Sequence, residues 1–178
     1  MDFHLSAEQK GLQKLARDFA RDELIPNCAE LDRLPDGEDA FPWDLVERGS
    51  KLGFNNLAVP KEHGGHGASV LTQVLVIEEL SAGEAAVSKV YSHNWKGISG
   101  ILAAASEEQI ARILPDYVKD PRYCIGIGLT EPNSGSDNSV PYDKKVSAGP
   151  MLSAVRDGDY YVLNGMKHYI ALSAQCKY

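Results

Sequence analysis

The sequence predicts an α+β protein in which an all-helical N-terminal region is followed by the start of an antiparallel β-domain. Apolar residues recur at helical spacing as far as residue 121, and beyond it they alternate with the two-residue period of strands. Asp157-Gly158-Asp159 lies between two alternating runs and is a strong hairpin signal. We therefore predict a helical domain over residues 1–121 and a partial β-domain over residues 122–178.

The first two helices are predicted from the residues that start and stop them. Ser6-Ala7-Glu8-Gln9 is a capping box, in which the serine accepts from an early N–H and the glutamine reaches back to the cap. Apolar residues follow at helical spacing until Pro26, which ends or kinks the helix. A short second helix opens at Phe41-Pro42-Trp43-Asp44 and is closed by Gly53.

Three further helices complete the helical region. The helix from Ser69 to Leu80 is apolar on more than one stripe, and we expect it to be buried. Its neighbouring Glu78 and Glu79 point about 100° apart, so we expect them to have a structural role. A fourth helix runs from about Glu84 to Ala105, and Ser106-Glu107-Glu108-Gln109 repeats the capping box at the start of the fifth.

Composition and charge exclude several classes of protein. The 178 residues are 43% hydrophobic and 24% charged, which is typical of a globular protein. The formal net charge of −7 makes nucleic acid and anionic membrane poor partners. The three cysteines form no CxxC pair, which indicates a reducing compartment. The chain has neither a signal-peptide pattern nor an apolar run that approaches a membrane span, so we expect a cytoplasmic protein without membrane insertion.

The strongest candidate for a ligand site is the stretch from Leu129 to Asp137, at the end of a predicted strand over Tyr123–Thr130. Side chains alternate along a strand, so this strand has one apolar face and one face that glycines leave nearly bare. The polar run after Pro132 offers short hydroxyls and free backbone N–H groups, which suit a phosphate or a polar ring edge. An ordinary Ser/Gly turn is the alternative.

Other familiar motifs are absent from the sequence. Gly126-Ile127-Gly128 lacks the third glycine of a dinucleotide-binding fingerprint and is followed by Thr-Glu-Pro, and no P-loop lysine follows. Neither Ser134 nor Ser136 has the flanking glycines of a nucleophile elbow. His63 and His66 lie in a glycine loop without a third ligand nearby, so we predict no metal site.

The flavin-binding signature of the acyl-CoA dehydrogenase family resembles two adjacent runs of this chain, Tyr123-Cys124-Ile125-Gly126-Ile127-Gly128 and Leu129-Thr130-Glu131-Pro132-Asn133-Ser134-Gly135-Ser136-Asp137. The resemblance extends through the whole chain and includes the family's Val-Pro-x-x-x-Gly-Gly connection between early helices, here at Val59 to Gly65. It implies FAD as the cofactor. In the family, the equivalent of Thr130 hydrogen-bonds the pyrimidine edge of the flavin, and the equivalent of Ser136 lies near the pyrophosphate and the acyl-CoA.

A second stretch resembles the family's strand Leu-Asn-Gly-x-Lys-x-Trp-Ile-Thr-Asn and runs from Leu163 to Leu172. Tyr169 stands at the aromatic position that stacks on the isoalloxazine. Ala171 stands where the family has a threonine that donates to the flavin N5, and alanine cannot do this. Leu172-Ser173 also replaces the usual Asn-Gly, and Pro141 to Pro150 resembles an inserted loop. These departures indicate an unusual branch of the family.

The resemblance implies two sets of site residues and no catalytic residue. The cofactor-binding residues are Ile127, Leu129, Thr130, Ser136, Tyr169, Ile170 and Ala171. The substrate-binding residues are Ser136, Tyr91, Ser92 and Trp95, the last three because the fourth helix lines the acyl pocket in the family. For Tyr91 and Trp95, which share one helix face, packing in the core is the alternative.

The implied reaction is the α,β-dehydrogenation of an acyl-CoA thioester, with an electron acceptor such as an electron-transfer flavoprotein and a homo- or hetero-oligomeric assembly. The 178 residues make up under half of a family subunit, and we expect the C-terminal helical bundle, which carries the family's glutamate base, to be absent. A flavin monooxygenase or nitroalkane oxidase on the same scaffold is one alternative. A non-catalytic subunit of a split or hetero-oligomeric enzyme is another, and a truncated product or proteolytic remnant would also explain the length.

Overall fold

A computed structural model describes residues 4–35, 37, 40–136 and 150–178. It is mostly helical, with one two-stranded antiparallel sheet among these residues, which confirms the predicted α+β class. The α-helices are α1 (Ala7–Phe19), α2 (Ile25–Leu31), α3 (Trp43–Lys51), α4 (Val70–Gly83), α5 (Ala85–Ala104) and α6 (Glu107–Lys119). The strands are β1 (Ser153–Asp157) and β2 (Tyr160–Asn164), and short 3-10 turns lie at Phe54–Asn56 and Lys61–His63.

The two predicted capping boxes start α1 and α6. Ser6 Oγ accepts from Gln9 N at 3.1 Å, and the Gln9 side chain accepts from Ser6 N at 2.9 Å. Ser106 and Gln109 repeat this reciprocal pair at the start of α6. Each box satisfies backbone N–H groups that the first turn of a helix leaves unpaired.

Pro26 divides the first predicted helix in two. Proline has no backbone N–H, and its ring conflicts with the carbonyl four residues earlier in a helix. The chain widens into a π-helical turn at Ala20–Leu24 and continues as α2, with Pro26 in the first turn. Six α-helices therefore precede residue 121 in the described part of the chain, where five were predicted.

The chain divides into two compact units, which we describe separately. The helical unit contains Met1–Ile125 and Ala174–Tyr178, and the hairpin unit contains Gly126–Ser173. In the helical unit, α4 lies against both α1 and α5. Ring centroids lie 5.6 Å apart for Phe19 and Phe54 and 5.9 Å apart for Phe54 and Tyr91, and this aromatic cluster is buried in the core.

The prediction that the helix from Ser69 to Leu80 is buried holds for one face of α4 and is wrong for the rest. Only one of its faces is covered by the neighbouring helices of this unit, and the buried residues are Thr72, Val76 and Leu80. Val70 is 76% exposed, and Leu71 and Val74 are also exposed. Apolar composition on several stripes predicts burial only where partners cover each stripe, and α1 and α5 cover one.

Glu79 has the structural role that was expected of it. Its carboxylate accepts from Arg17 Nε at 2.9 Å and from Gln13 Nε2 at 3.0 Å, and these bonds join α4 to α1. The hydrogen bond from Arg17 is the main reason why the pKa of Glu79 is lowered.

The predicted strand over Tyr123–Thr130 does not form. Its start is bound by a side chain of α5, because Asn94 Oδ1 accepts from Ile125 N at 2.9 Å and Asn94 Nδ2 donates to Tyr123 O at 3.1 Å. Within the described residues, no strand pairs along this segment.

The predicted hairpin is confirmed. β1 and β2 pair with Val155 opposite Val162 and Asp157 opposite Tyr160. Gly158 has φ 60°, and positive φ is what the two-residue turn of a hairpin requires. The following segment, Met166 to Leu172, is not the strand that was predicted, because Tyr169 and Leu172 have φ of 53° and 62° and break the extended backbone.

Asp137 and the predicted inserted loop up to residue 149 lie outside the described residues. None of the helices in the described ranges is long and apolar enough to cross a membrane.

Candidate functional site

The hairpin unit contains a tight turn formed by Glu131-Pro132-Asn133-Ser134. Glu131 N donates to Ser134 O at 2.8 Å, and Ser134 N donates to Glu131 O at 3.1 Å. Pro132 suits such a turn because its ring fixes φ near the value that the second position of a turn requires. The turn places Thr130 immediately before it and Ser136 shortly after it.

The side chain of Glu131 is buried beneath this turn. It is only 3% exposed, and its carboxylate accepts from Lys167 Nζ at 2.7 Å, from Leu152 N at 3.1 Å and from Met151 N. The bond from Lys167, followed by the bond from Met151, lowers the pKa of Glu131 to about 2. Glu131 is therefore a permanently ionised carboxylate at neutral pH.

Lys167 and His168 hold the second predicted cofactor segment against the first. Lys167 Nζ donates to Leu129 O at 3.1 Å in addition to its bond with Glu131. His168 N donates to Thr130 O at 3.0 Å. The two stretches that resemble the flavin landmarks therefore lie side by side within one compact unit.

The predicted cofactor residues differ in exposure. The half-buried ones are Ile127, Thr130, Ile170 and Ala171, and the exposed ones are Leu129, Ser136 and Tyr169. Tyr169 is 87% exposed, and its ring centroid lies 4.2 Å from that of His168. The site thus presents hydroxyl, apolar and aromatic groups at its surface.

Tyr169 also has a strained backbone. A non-glycine residue with positive φ is uncommon, and for a bulky side chain it is a true outlier. Such strain persists only where the surroundings impose it, and it is most common at functional sites. Here the two preceding residues are held by the bonds of Lys167 to Leu129 O and of His168 to Thr130 O.

These residues fit a flavin in two respects and depart from the family in one. Thr130 and Ser136 provide the hydroxyls that a pyrimidine edge and a pyrophosphate require, and Tyr169 provides an accessible ring for stacking. Ala171 provides no side-chain donor. The roles of all these residues stay predictions.

The predicted substrate residues lie in the helical unit. Tyr91 is 0% exposed and its hydroxyl donates to Val46 O at 3.0 Å, while Trp95 Nε1 donates to Phe54 O at 2.7 Å. Ser92 is half-buried, and its Oγ donates to Lys89 O at 3.1 Å. These are the contacts that core packing requires, and a part for the three residues in an acyl pocket stays a prediction.

Sequence reasoning missed the pairing of Glu131 with Lys167. The two residues lie 36 positions apart, and nothing in the spacing shows that one meets the other. The available signal was that each belongs to a stretch resembling a flavin landmark. In the described ranges no three His, Cys, Asp or Glu side chains are grouped as metal ligands would be.

Comparisons with known proteins agree on one family. A family model described as the N-terminal domain of acyl-CoA dehydrogenase matches residues 6–120. An acyl-CoA dehydrogenase of Bacillus subtilis is 34% identical over 169 residues, which are 94% of this chain and 41% of that protein. The chain thus spans less than half of the length of the curated relatives that it matches.

Solved structures give the same result for the fold. An acyl-CoA dehydrogenase from Bacillus anthracis, complexed with FAD, is 28% identical with a TM-score of 0.78 and is matched over 97% of this chain and 28% of that one. Nitroalkane oxidase from Podospora anserina is 25% identical with a TM-score of 0.81, over 96% of this chain and 40% of that one.

Proposed function

The chain belongs to the acyl-CoA dehydrogenase family, and on that premise we propose that it forms the helical domain and the start of the β-domain of an FAD-dependent enzyme that dehydrogenates an acyl-CoA thioester. We place the boundary between the two domains near residue 121. The electron acceptor, such as an electron-transfer flavoprotein, the homo- or hetero-oligomeric state and the cytoplasmic location belong to the same proposal.

The observation that supports this function best is the meeting of the two cofactor segments in the hairpin unit. Thr130 O accepts from His168 N, and Leu129 O accepts from Lys167 Nζ. These hydrogen bonds bring two stretches that are more than thirty positions apart in sequence into contact. A solved relative complexed with FAD shares this fold.

The residues have distinct parts in the proposed site. The hydroxyl of Thr130 would bind the pyrimidine edge, and that of Ser136 would lie near the pyrophosphate and the acyl-CoA. Tyr169 stacks on the ring, and Ile127, Leu129, Ile170 and Ala171 line it. When bound, FAD supplies the acceptor for the hydride that leaves the Cβ of the acyl group.

No residue of the described part is proposed as the base that removes the α-proton. A general base works best with a pKa near the operating pH, within hydrogen-bond reach of the proton. Glu131 fails the first condition because its pKa is about 2. We propose that the base lies in a segment that this sequence does not contain, as the resemblance implies.

A second candidate function is supported by the likeness to nitroalkane oxidase, whose TM-score of 0.81 is as high as those of the dehydrogenases. The two functions differ in the molecule that reduces the flavin. We would express the polypeptide encoded by the full reading frame that contains these residues and mix it anaerobically with acyl-CoA thioesters or with nitroalkanes.

Loss of flavin absorbance with a thioester and not with a nitroalkane is the expected result. Bleaching by nitroalkanes alone would assign the second function. A flavin that neither class bleaches would favour the non-catalytic subunit.

A further inference from the structure

We propose that Glu131 and Lys167 form a positioning pair that holds the loop 129–136 against the segment 166–170 and so presents the flavin-contacting side chains together. Neither residue is among those predicted to touch the cofactor. The consequence for FAD binding rests on the proposed function, whereas the consequence for the geometry of the loop does not.

The carboxylate of Glu131 joins three separate parts of the hairpin unit. One oxygen accepts from Lys167 Nζ at 2.7 Å and from Leu152 N at 3.1 Å, and the other accepts from Met151 N. The turn, the approach to β1 and the segment after β2 therefore meet at a single side chain. Carboxylates that accept several N–H bonds in a buried place are held more rigidly than exposed ion pairs.

Lys167 extends this junction to the two residues that precede Glu131. Its ammonium also donates to the carbonyl of Leu129, and the next residue, His168, donates to the carbonyl of Thr130. The side chain of Lys167 is only 22% exposed, so its charge is largely shielded from water. The residue that follows His168 is Tyr169, and the backbone of Tyr169 is therefore fixed through this pair.

The hydrogen bonds that Glu131 accepts make its carboxylate unsuited to proton transfer. Both of its oxygens are occupied by donors, and an ionised carboxylate with a low pKa binds protons poorly at neutral pH. Removing one partner of a buried, hydrogen-bonded charge pair leaves the other charge uncompensated, which is costly. The pair is thus suited to fixing geometry and unsuited to chemistry.

Amide hydrogen exchange of the 178-residue chain tests the pair directly, because three reporters depend on it. These are the amides of Met151 and Leu152, which bind Glu131, and the amide of His168, which binds Thr130. We would compare Glu131→Gln, Lys167→Met and the double variant. Both tryptophans, Trp43 and Trp95, belong to the helical unit, so their fluorescence reports separately that this unit stays folded.

Asp120→Asn is the matched control. Asp120 also accepts from a lysine, Lys177, and from a backbone N–H, that of Arg122 at 2.9 Å, but all three residues belong to the helical unit. This variant should leave the exchange of the three reporter amides unchanged.

We expect each single variant to raise exchange at His168 at least tenfold, and the double variant to add little more, because contacting partners are not additive. Unchanged exchange at His168 in both single variants would overturn the inference. Fully additive effects would overturn it as well, since they would show two independent contacts.

Titration of FAD into the full-reading-frame polypeptide separates this inference from the proposed function. We expect Glu131→Gln to weaken FAD affinity at least tenfold while Asp120→Asn has no effect. Equal affinity of Glu131→Gln and the unchanged protein would refute positioning and leave the proposed function standing. If the unchanged polypeptide does not bind FAD, the proposed function fails, and the exchange at His168 alone decides whether the pair positions the loop.

Discussion

At the scale of single residues, the buried hydroxyl of Tyr91 is stabilised by hydrogen bonds to backbone carbonyls. Its hydroxyl lies against α3, where it donates to the carbonyls of Leu45 and Val46 at 3.3 and 3.0 Å. Gly49 leaves the space for it, since a Cβ there would lie 2.2 Å from the hydroxyl oxygen. Burial raises the pKa of Tyr91, so it stays a neutral donor.

We predict that Tyr91→Phe destabilises the helical unit by about 1–2 kcal/mol, because the buried hydrogen bond from the hydroxyl to the α3 carbonyls is lost. Urea unfolding followed by tryptophan fluorescence measures this change. The control is Tyr160→Phe, since Tyr160 is 79% exposed on β2. Equal effects of the two substitutions would contradict a structural role for the Tyr91 hydroxyl.

Glu131 makes the hairpin unit sensitive to acid. Its pKa of about 2 lies below its ordinary value of 4.5, which it regains in the unfolded chain. Its ionised form therefore stabilises the unit fully above about pH 4.5, and this stabilisation is lost as the pH falls towards 2.

We expect the amide proton shifts of Met151 and Leu152, followed by NMR, to titrate with a midpoint well below 4.5. The low midpoint follows because their N–H groups bind the carboxylate that Lys167 keeps ionised. Glu131→Gln should abolish this titration. A midpoint at the ordinary carboxylate value would show that the ion pair does not form.

At the scale of elements, α5 carries two glycines with opposite surroundings. A Cβ at Gly97 would lie 2.6 Å from Ile125 Cγ2, whereas a Cβ at Gly100 would meet nothing within 4 Å. Gly97 therefore permits the close approach of Ile125, in the segment that leads to the loop 129–136. Gly100 lies on the exposed face of the same helix.

We predict opposite signs for the two alanine substitutions. Gly97→Ala should destabilise the helical unit by about 1–3 kcal/mol through overpacking. Gly100→Ala should stabilise it by about 0.5–1 kcal/mol, because alanine is the better helix former. Thermal unfolding followed by circular dichroism measures both, and stabilisation by Gly97→Ala would contradict the packing described here.

The helices could be predicted from sequence, and most of the β-region could not. Helix starts depend on hydrogen bonds between residues close in sequence, such as Ser6 and Gln9, and these pairs can be recognised from the sequence itself. The segment Tyr123–Thr130 has strand-like composition, but Asn94 binds its backbone in place of a partner strand. Glu131 and Lys167 likewise come into contact only through the tertiary fold. The two segments that resemble known motifs could therefore be located from the sequence, whereas the ion pair between them could not.

At the scale of the whole molecule, the hairpin unit has an exposed sheet. Every residue of β1 and β2 is exposed, and the exposed apolar and aromatic side chains on it are Val155, Tyr160, Tyr161, Val162 and Leu163. A two-stranded hairpin is marginally stable in water without further strands or a helix against it. Unpaired strand edges also favour pairing with another chain.

We therefore predict that the 178-residue chain alone binds FAD weakly and does not dehydrogenate acyl-CoA. Loss of a positioned base typically removes a factor of about 10²–10⁴ in rate, and Glu131, with its pKa of about 2, is unsuited to that role. The purified chain would be mixed anaerobically with FAD and acyl-CoA thioesters. Stoichiometric bleaching with no partner present would place the base within these residues after all.

Thr130 and Ser136 are proposed to bind the flavin cofactor from the hairpin unit, and an FAD titration of the full-reading-frame polypeptide measures this binding. Ser136→Ala should weaken binding by about ten- to a hundredfold, the loss of about 1.5–3 kcal/mol expected for a hydrogen bond to a charged group. Thr130→Val, which loses a bond to the uncharged pyrimidine edge, should weaken it by about two- to tenfold. Ser153→Ala, at an exposed serine of β1, should leave the affinity unchanged. Unchanged affinity and an unchanged flavin spectrum in both site variants would contradict the assignment of this loop as the cofactor site.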